Sequence, residues 1–254
     1  MGFKVVIPAR YASSRLPGKP LLEIAGRPMI QWVIDAACRS GAEEVLVATD
    51  DPRIVAASFA SERPGRSLAV MTRADHQSGT DRIAEVAILR GWPEETVVVN
   101  VQGDEPQLPP QLVAQVAKLL EHDASAQIAT LCTPVASLHE FLDPNVVKVV
   151  IAADGAALYF SRAPVPWHRE GAPHGFASQS LFTGAHRHLG LYAYRVSALE
   201  RLTASPPAHL ELIEKLEQLR ALQAGMRVVV GIAAHAPPVG VDTAADLERV
   251  RASL

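Results

Sequence analysis

Short apolar runs and helically spaced apolar positions alternate along the first hundred residues. Residues 4–7 form an apolar run that closes on Pro8, and residues 28–39 then place Met29, Ile30, Trp32, Val33, Ala36 and Ala37 at helical spacing. Residues 44–49 are β-rich, 51–61 read as a capped helix, 68–71 as a strand, 81–89 as a helix and 96–101 as another strand. Strands and helices alternating at these lengths predict βαβ units. The expected fold is α/β: a mixed, mostly parallel sheet flanked by helices. In open sheets of this kind ligands bind beyond the carboxyl ends of the strands. The segments after Ile7, Met71 and Val101 are therefore the first candidates for a site.

The rhythm changes after about Gln111. A helix running to His122 is followed by closely spaced strand patterns at 127–133, 146–152 and 157–161, and one more at 189–195. Within one domain spanning 1–254, we expect a smaller β-rich extension at roughly 126–200 that carries part of the site and a dimer surface. Residues 164–187, rich in Pro, Gly, His and Ser without periodicity, read as a long loop. Leu210, Ile213, Leu216, Leu219 and Leu222 predict one helix ending near Gly225, and residues 226–232 predict a final strand.

Composition narrows the class. At 254 residues the chain can bury a substantial core, and 24 Lys+Arg against 27 Asp+Glu give a net charge of −3, which disfavours nucleic acid or a membrane surface as partner. Cys38 and Cys132 stand alone in apolar stretches, so zinc and redox motifs are absent. Residues 1–7 are too short for the apolar segment of a signal peptide, and no apolar run is long enough to span a bilayer. The cytoplasm is the expected compartment.

The loop after the first strand reads PARYASSRLPGKP and places Arg10, Arg15 and Lys19 among small residues. Such a loop can wrap a triphosphate, with backbone N–H groups near 12–14 approaching phosphate oxygens; a solvated basic loop is the alternative. It is not a Walker A loop, because Ser13 replaces the first glycine and Pro20 the Ser/Thr, and no GxG dinucleotide fingerprint occurs. The segment TRADHQSGTDR, residues 72–82, leads from a strand into a helix, and Gly79 permits close backbone approach. Backbone carbonyls with the Ser78 or Thr80 hydroxyl could read a small base; alternatively, Ser78 or Thr80 caps the helix and Asp81 favours its positive end. His76 reads as structural. In VNVQGDEP, Asp104 stands just beyond a buried strand, where a carboxylate suits Mg²⁺.

PARYASSRLPGKPL, MTRADHQSGTDR, VNVQGDEP, YFSRAPVPW, HLGLYAYR, EKLEQLR and GVDTAADLERV occur in order from residue 8 to 250. Together they resemble the 3-deoxy-manno-octulosonate (KDO) cytidylyltransferases. The stretch 169–184 matches no motif of that family. The resemblance implies a nucleotide-sugar-transferase-like (Rossmann-like) fold, usually dimeric. It also implies an enzyme that transfers CMP from CTP to KDO with Mg²⁺, for lipopolysaccharide biosynthesis.

Carried onto this sequence, the resemblance assigns CTP to Ala9, Arg10, Arg15, Lys19, Thr72, Arg73, Ser78, Gly79, Thr80, Gln102 and Asp104. It assigns the metal to Asp104 and Asp242, the latter otherwise a helix cap, and catalysis to Lys19, Arg15, Asp104 and Asp242. KDO falls to Arg10, Gln102, Arg162, His188, Tyr192 and Glu217, with Arg162 suited to the carboxylate. Read locally, Arg162 could equally be a structural ion pair, His188 a loop anchor, Tyr192 a strand residue and Glu217 an exposed helix position. Rival functions are a sialic-acid cytidylyltransferase and a nucleotide-binding scaffold without turnover.

Overall fold

The computed structural model describes residues 2–12, 16–59, 67–233, 235–238 and 240–254. In chain order the first half comprises β1 (Phe3–Pro8), β2 (Glu23–Ile24), β3 (Arg27–Pro28), α1 (Met29–Cys38), β4 (Glu44–Thr49), α2 (Pro52–Phe59), β5 (Ser67–Met71), α3 (Gly79–Arg90), β6 (Val97–Asn100) and α4 (Pro110–His122). The second half comprises β7 (Ile128–Pro134), α5 (Leu138–Leu142), β8 (Lys148–Ile151), β9 (Ala157–Ser161), β10 (His186–Arg195), α6 (Val196–Ala204), α7 (His209–Glu214), α8 (Gln218–Gln223), β11 (Val228–Ile232) and α9 (Ala244–Ser253).

One sheet runs in the order β11-β7-β10-β6-β1-β4-β5. The β6-β1-β4-β5 block is parallel, as is β11 with β7, and β10 runs antiparallel to both its neighbours. An irregularity between Leu189 and Tyr192 bends β10, whose first residues also pair with β8, and β9 adds to β8. The closely spaced strands expected beyond residue 126 thus continue the main sheet.

Strands buried on both faces explain the continuous apolar runs. Val5, Ile7, Val45, Val47, Val97 and Val99 pack against Ile30, Val33 and Ile34 of α1, Ile54 of α2, and Leu112 and Val116 of α4. Val6, Leu46, Ala48 and Val98 face Ile83 and Val86 of α3, Leu199 and Leu202 of α6, and Leu219 of α8. A smaller cluster of Ile24, Met29, Val241, Leu247 and Val250 seats α9 against the start of the chain. That contact is what brings residue 242 to the mouth of the parallel block.

Two features depart from the sequence reading. The helix expected through Leu210–Leu222 is broken into α7 and α8 at Lys215, whose φ of +54° is left-handed. Tertiary bonds override the helical pattern there. Glu214 accepts from the Ser161 hydroxyl at 2.7 Å and the Arg162 N–H at 2.9 Å, and the Glu211–Arg220 pair clamps the two pieces together. The second feature is α6, which follows β10 without a turn residue between them and so escapes the strand reading, although it buries Val196, Leu199 and Leu202 at helical spacing.

Candidate active site

A cleft of about 390 Å³ lies over the carboxyl ends of β1, β5 and β6. Its walls are Pro8, Ala9 and Arg10 after β1, Lys19 and Pro20, residues 76–79 with Arg82, residues 102–104 after β6, and Asp242. Glycine lets these walls meet. A Cβ on Gly103 would stand 3.1 Å from the Pro8 carbonyl oxygen, and one on Gly79 3.2 Å from Pro8 Cγ. Larger side chains would push the loops after β1, β5 and β6 apart.

At one end of the cleft Lys19 Nζ donates to Asp104 Oδ2 at 2.8 Å and to Asp242 Oδ1 at 3.0 Å. Gly18, in the left-handed region at φ +68°, starts the short helical turn that carries Lys19 inward. Asp242 arrives because Val241 is fully buried and its N–H donates to the Asp104 carbonyl at 2.9 Å. Burial works to lower the Lys19 pKa, but the hydrogen bonds and charges of Asp104 and Asp242 outweigh it and hold it above the usual lysine range. Asp242 does not cap α9. Thr243 does, accepting from Asp246 N–H while the Asp246 carboxylate accepts from Thr243 N–H, and the hydroxyl bond of Thr243, more than burial opposes, brings Asp246 down to about 2. The Asp242 carboxylate is thereby left to face Lys19.

The nucleotide-side expectations divide. Ala9, Arg10, Lys19, Ser78, Gly79, Gln102 and Asp104 line the cleft, whereas Arg15 lies outside the described residues. Thr72 is buried and accepts from Arg82 Nη1 at 2.5 Å, and Arg73 pairs its guanidinium with Asp75 at 2.9 and 2.5 Å on the surface. Thr80 is buried too and donates to Glu217. The side chains of these three point elsewhere. Ser78 caps α3 in a reciprocal box with Asp81, so the helix-cap alternative holds for Asp81. Of the cleft residues without a site assignment from the sequence, Arg82 and His76 carry ionisable side chains. Arg82, only 3% exposed, is held by Thr72, the Arg73 carbonyl and Asp50. His76 faces the cleft with Nε2 at 2.5 Å from Glu85, which also accepts the Arg73 N–H. A helix reading of SGTDR hides Arg82, because its burial depends on the β5 loop folding over it.

The residues expected to contact KDO are split: Arg10 and Gln102 line the nucleotide cleft, whereas His188, Tyr192, Glu217 and Arg162 do not. His188 Nε2 is 2.9 Å from the Thr130 hydroxyl, which donates to the Leu191 carbonyl at 2.8 Å, so Nε2 carries the proton and Nδ1 is an acceptor. Burial pulls this imidazole down to about 3, and it is neutral throughout the physiological range. Its ring lies 5.0 Å from Phe160 and 5.3 Å from Tyr192. Tyr192 Oη is buried with no hydrogen-bond partner among the described residues, which is costly unless a ligand supplies one. Glu217 takes the hydroxyl of Thr80, the residue after the cleft-lining Gly79. Arg162 is outside the cleft. Its Nε donates to the Glu214 carbonyl at 2.7 Å and its Nη1 to that of Pro144 at 3.0 Å. Glu105, next to Asp104, lines a separate cavity of about 100 Å³ with Leu108, Leu112 and Arg187. Burial, and then the charge of Asp104, push its carboxyl up to about 7.

The cytidylyltransferase family model matches residues 4–228. A 3-deoxy-manno-octulosonate cytidylyltransferase of Thioalkalivibrio sulfidiphilus is 55% identical over 98% of both chains. The chain belongs to the 3-deoxy-manno-octulosonate cytidylyltransferase family. A family member from Nitrosococcus oceani is 52% identical over 99% of this chain and 96% of its own. A solved structure of CMP:2-keto-3-deoxy-manno-octonic acid synthetase complexed with CTP superposes with a TM-score of 0.86 at 42% identity, covering 100% of this chain and 98% of that one. The family-model match stops short of Asp242, but the full-length relatives extend over it.

Proposed function

We propose that the chain transfers CMP from CTP to the anomeric hydroxyl of KDO, releasing pyrophosphate, in the cleft over β1, β5 and β6. The observation that carries the reading is the convergence of Lys19, Asp104 and Asp242 at the end of a cleft that also holds Arg10. A triphosphate needs cations along its oxygens and a divalent ion among them, and this end of the cleft has the groups for both.

Mg²⁺ is the cofactor we assign to the Asp104–Asp242 pair. The fit rests on two carboxylate oxygens that already converge on one cationic centre, the Lys19 ammonium. Among the described residues no cluster of three or more His, Cys, Asp or Glu could hold a metal. A two-carboxylate site suits Mg²⁺, which keeps waters and takes phosphate oxygens for the rest of its shell. Bound there, it would neutralise phosphate charge and lower the pKa of the attacking hydroxyl.

The chain's own residues have three tasks. Arg10 and Lys19 hold the triphosphate and stabilise the departing pyrophosphate, with Arg15 the further cation the sequence offers. Residues 76–79 and Arg82 bound the other side of the cleft, where backbone groups and the His76 ring face the cytidine. Gln102, His188, Tyr192 and Glu217 orient the sugar through its hydroxyls, with the neutral His188 Nδ1 accepting a hydrogen bond from one of them. For the sugar carboxylate the sequence offers Arg162; it lies outside the cleft with Nε and Nη1 held by the Glu214 and Pro144 carbonyls, so it serves only a sugar that extends beyond the cleft. Held in line, the anomeric oxygen forms its bond to the α-phosphorus as the bond to the bridging oxygen of pyrophosphate breaks. The hydroxyl proton leaves to solvent, and no covalent bond to the protein is formed.

We further propose a homodimer in the cytoplasm, where CTP is available. The β8–β9 hairpin is its contact surface: among the described residues β9 pairs in the sheet with β8 alone, and Leu158 on it is exposed.

Pyrophosphate release across a panel of CTP, UTP, KDO and sialic acid tests the substrate reading. CTP with KDO is expected to turn over at least a hundredfold faster than UTP with KDO or CTP with sialic acid, about 2.7 kcal/mol of discrimination. Efficient turnover of sialic acid without KDO activity would sink it.

A further inference from the structure

Lys19 does something in this structure that phosphate binding does not explain. Its ammonium donates to Asp104 and Asp242 at 2.8 and 3.0 Å and is the most enclosed of the three side chains, at 13% exposure against 32% and 50%. The partners come from the loop after β6 and the turn before α9, far apart in sequence, so the fold has brought two carboxylates to either side of one positive centre. An ammonium and a divalent cation cannot both stand between the same two carboxylates, since each would repel the other at contact distance. Arg10 lines the same cleft, so an incoming triphosphate meets positive charge next to Lys19 and offers its ammonium an alternative set of anionic oxygens.

We propose that Lys19 is the resident counter-cation of the Asp104–Asp242 pair in the free protein, so that a divalent cation loads by exchange with the ammonium. The nucleotide's triphosphate opens the pair by taking the ammonium away. Lys19 therefore has two positions of rest, on the carboxylates and on the phosphates, and the cation site is completed only as the nucleotide arrives. The device keeps two partly exposed carboxylates from repelling each other when the cleft is empty and couples cation loading to nucleotide binding. It rests on the assignment of Asp104 and Asp242 as the cation-holding pair.

Mn²⁺ binding to nucleotide-free protein, followed by the electron paramagnetic resonance signal of the free ion, tests the exchange. Lys19→Met should bind Mn²⁺ at least tenfold more tightly than wild type. Arg10→Gln removes a positive charge from the same cleft without freeing the carboxylates and should tighten binding less than threefold. Should Lys19→Met not fold, Lys19→Gln keeps a donor for the carboxylates while removing the competing charge, and it should shift affinity in the same direction. Unchanged Mn²⁺ affinity on losing Lys19, or an equal gain in Arg10→Gln, overturns the exchange. Adding Asp104→Asn and Asp242→Asn to Lys19→Met should abolish the tight site; persistence of tight binding there would instead defeat the assignment of the pair.

Discussion

Asp104→Asn is expected to lower turnover efficiency by a hundred- to a thousandfold while leaving the protein folded. The substitution keeps the size and one acceptor oxygen but removes half the negative charge on which Lys19 converges. Losing one charged ligand from a two-carboxylate site costs on the order of 3–4 kcal/mol of charge stabilisation in the transition state, and each 1.36 kcal/mol is a factor of ten in rate. The fold should tolerate it. Asp104 is about a third exposed at the cleft rim, Lys19 keeps Asp242 at 3.0 Å, and the bond from Val241 N–H to the Asp104 carbonyl is backbone only. Circular dichroism and a thermal scan should match wild type, and the variant should need more Mg²⁺ to reach half its maximal rate. Wild-type turnover at wild-type Mg²⁺ would remove Asp104 from the reaction.

Lys148→Met is expected to produce the largest loss of stability. Lys148 is fully buried, and its ammonium donates to the carbonyls of Asp143, Val146 and Arg162 at 2.9, 2.5 and 2.8 Å. Methionine fills the same space without a donor, so three carbonyls lose their partner at about 1 kcal/mol or more each. The sum, at least ~3 kcal/mol, corresponds to a fall in Tm of about 6–12 °C for a chain of this size. One of the three carbonyls belongs to Arg162, so the end of β9 loosens and, relative to wild type, KDO binding should weaken more than CTP binding. A Tm within 2 °C of wild type would show that water or neighbouring groups replace the ammonium.

Local patterns in the sequence were enough for the parallel block. Apolar runs at 4–7, 44–49 and 96–101 correspond to β1, β4 and β6, and the helical spacing after Pro28 corresponds to α1, because each depends on residues near in the chain. The break at Lys215 was not legible, since its cause is Glu214 reaching Ser161 and Arg162 more than fifty positions earlier. The same distinction runs through the site. Arg10 and Asp104 follow strand ends and Lys19 closes the basic loop after the first strand, so all three can be picked out locally. That Lys19 would hold Asp104 and Asp242 together depends on α9 docking beside β2 through Val241 and Leu247, a contact no local pattern announces. Thr72, Arg73 and Thr80 were assigned to the nucleotide as one block, yet strand and helix geometry turns their side chains to Arg82, Asp75 and Glu217. Asp242 illustrates the opposite case, a carboxylate with an ordinary capping explanation that the structure gives to Thr243 instead.

The most direct test of the central claim is to follow CTP, KDO and Mg²⁺ with the purified protein by ³¹P nuclear magnetic resonance until CTP is consumed. The account predicts a phosphodiester resonance of CMP-KDO appearing with one pyrophosphate for each, and neither without KDO. Consumption of CTP to CMP or CDP at the same rate with and without KDO would contradict it.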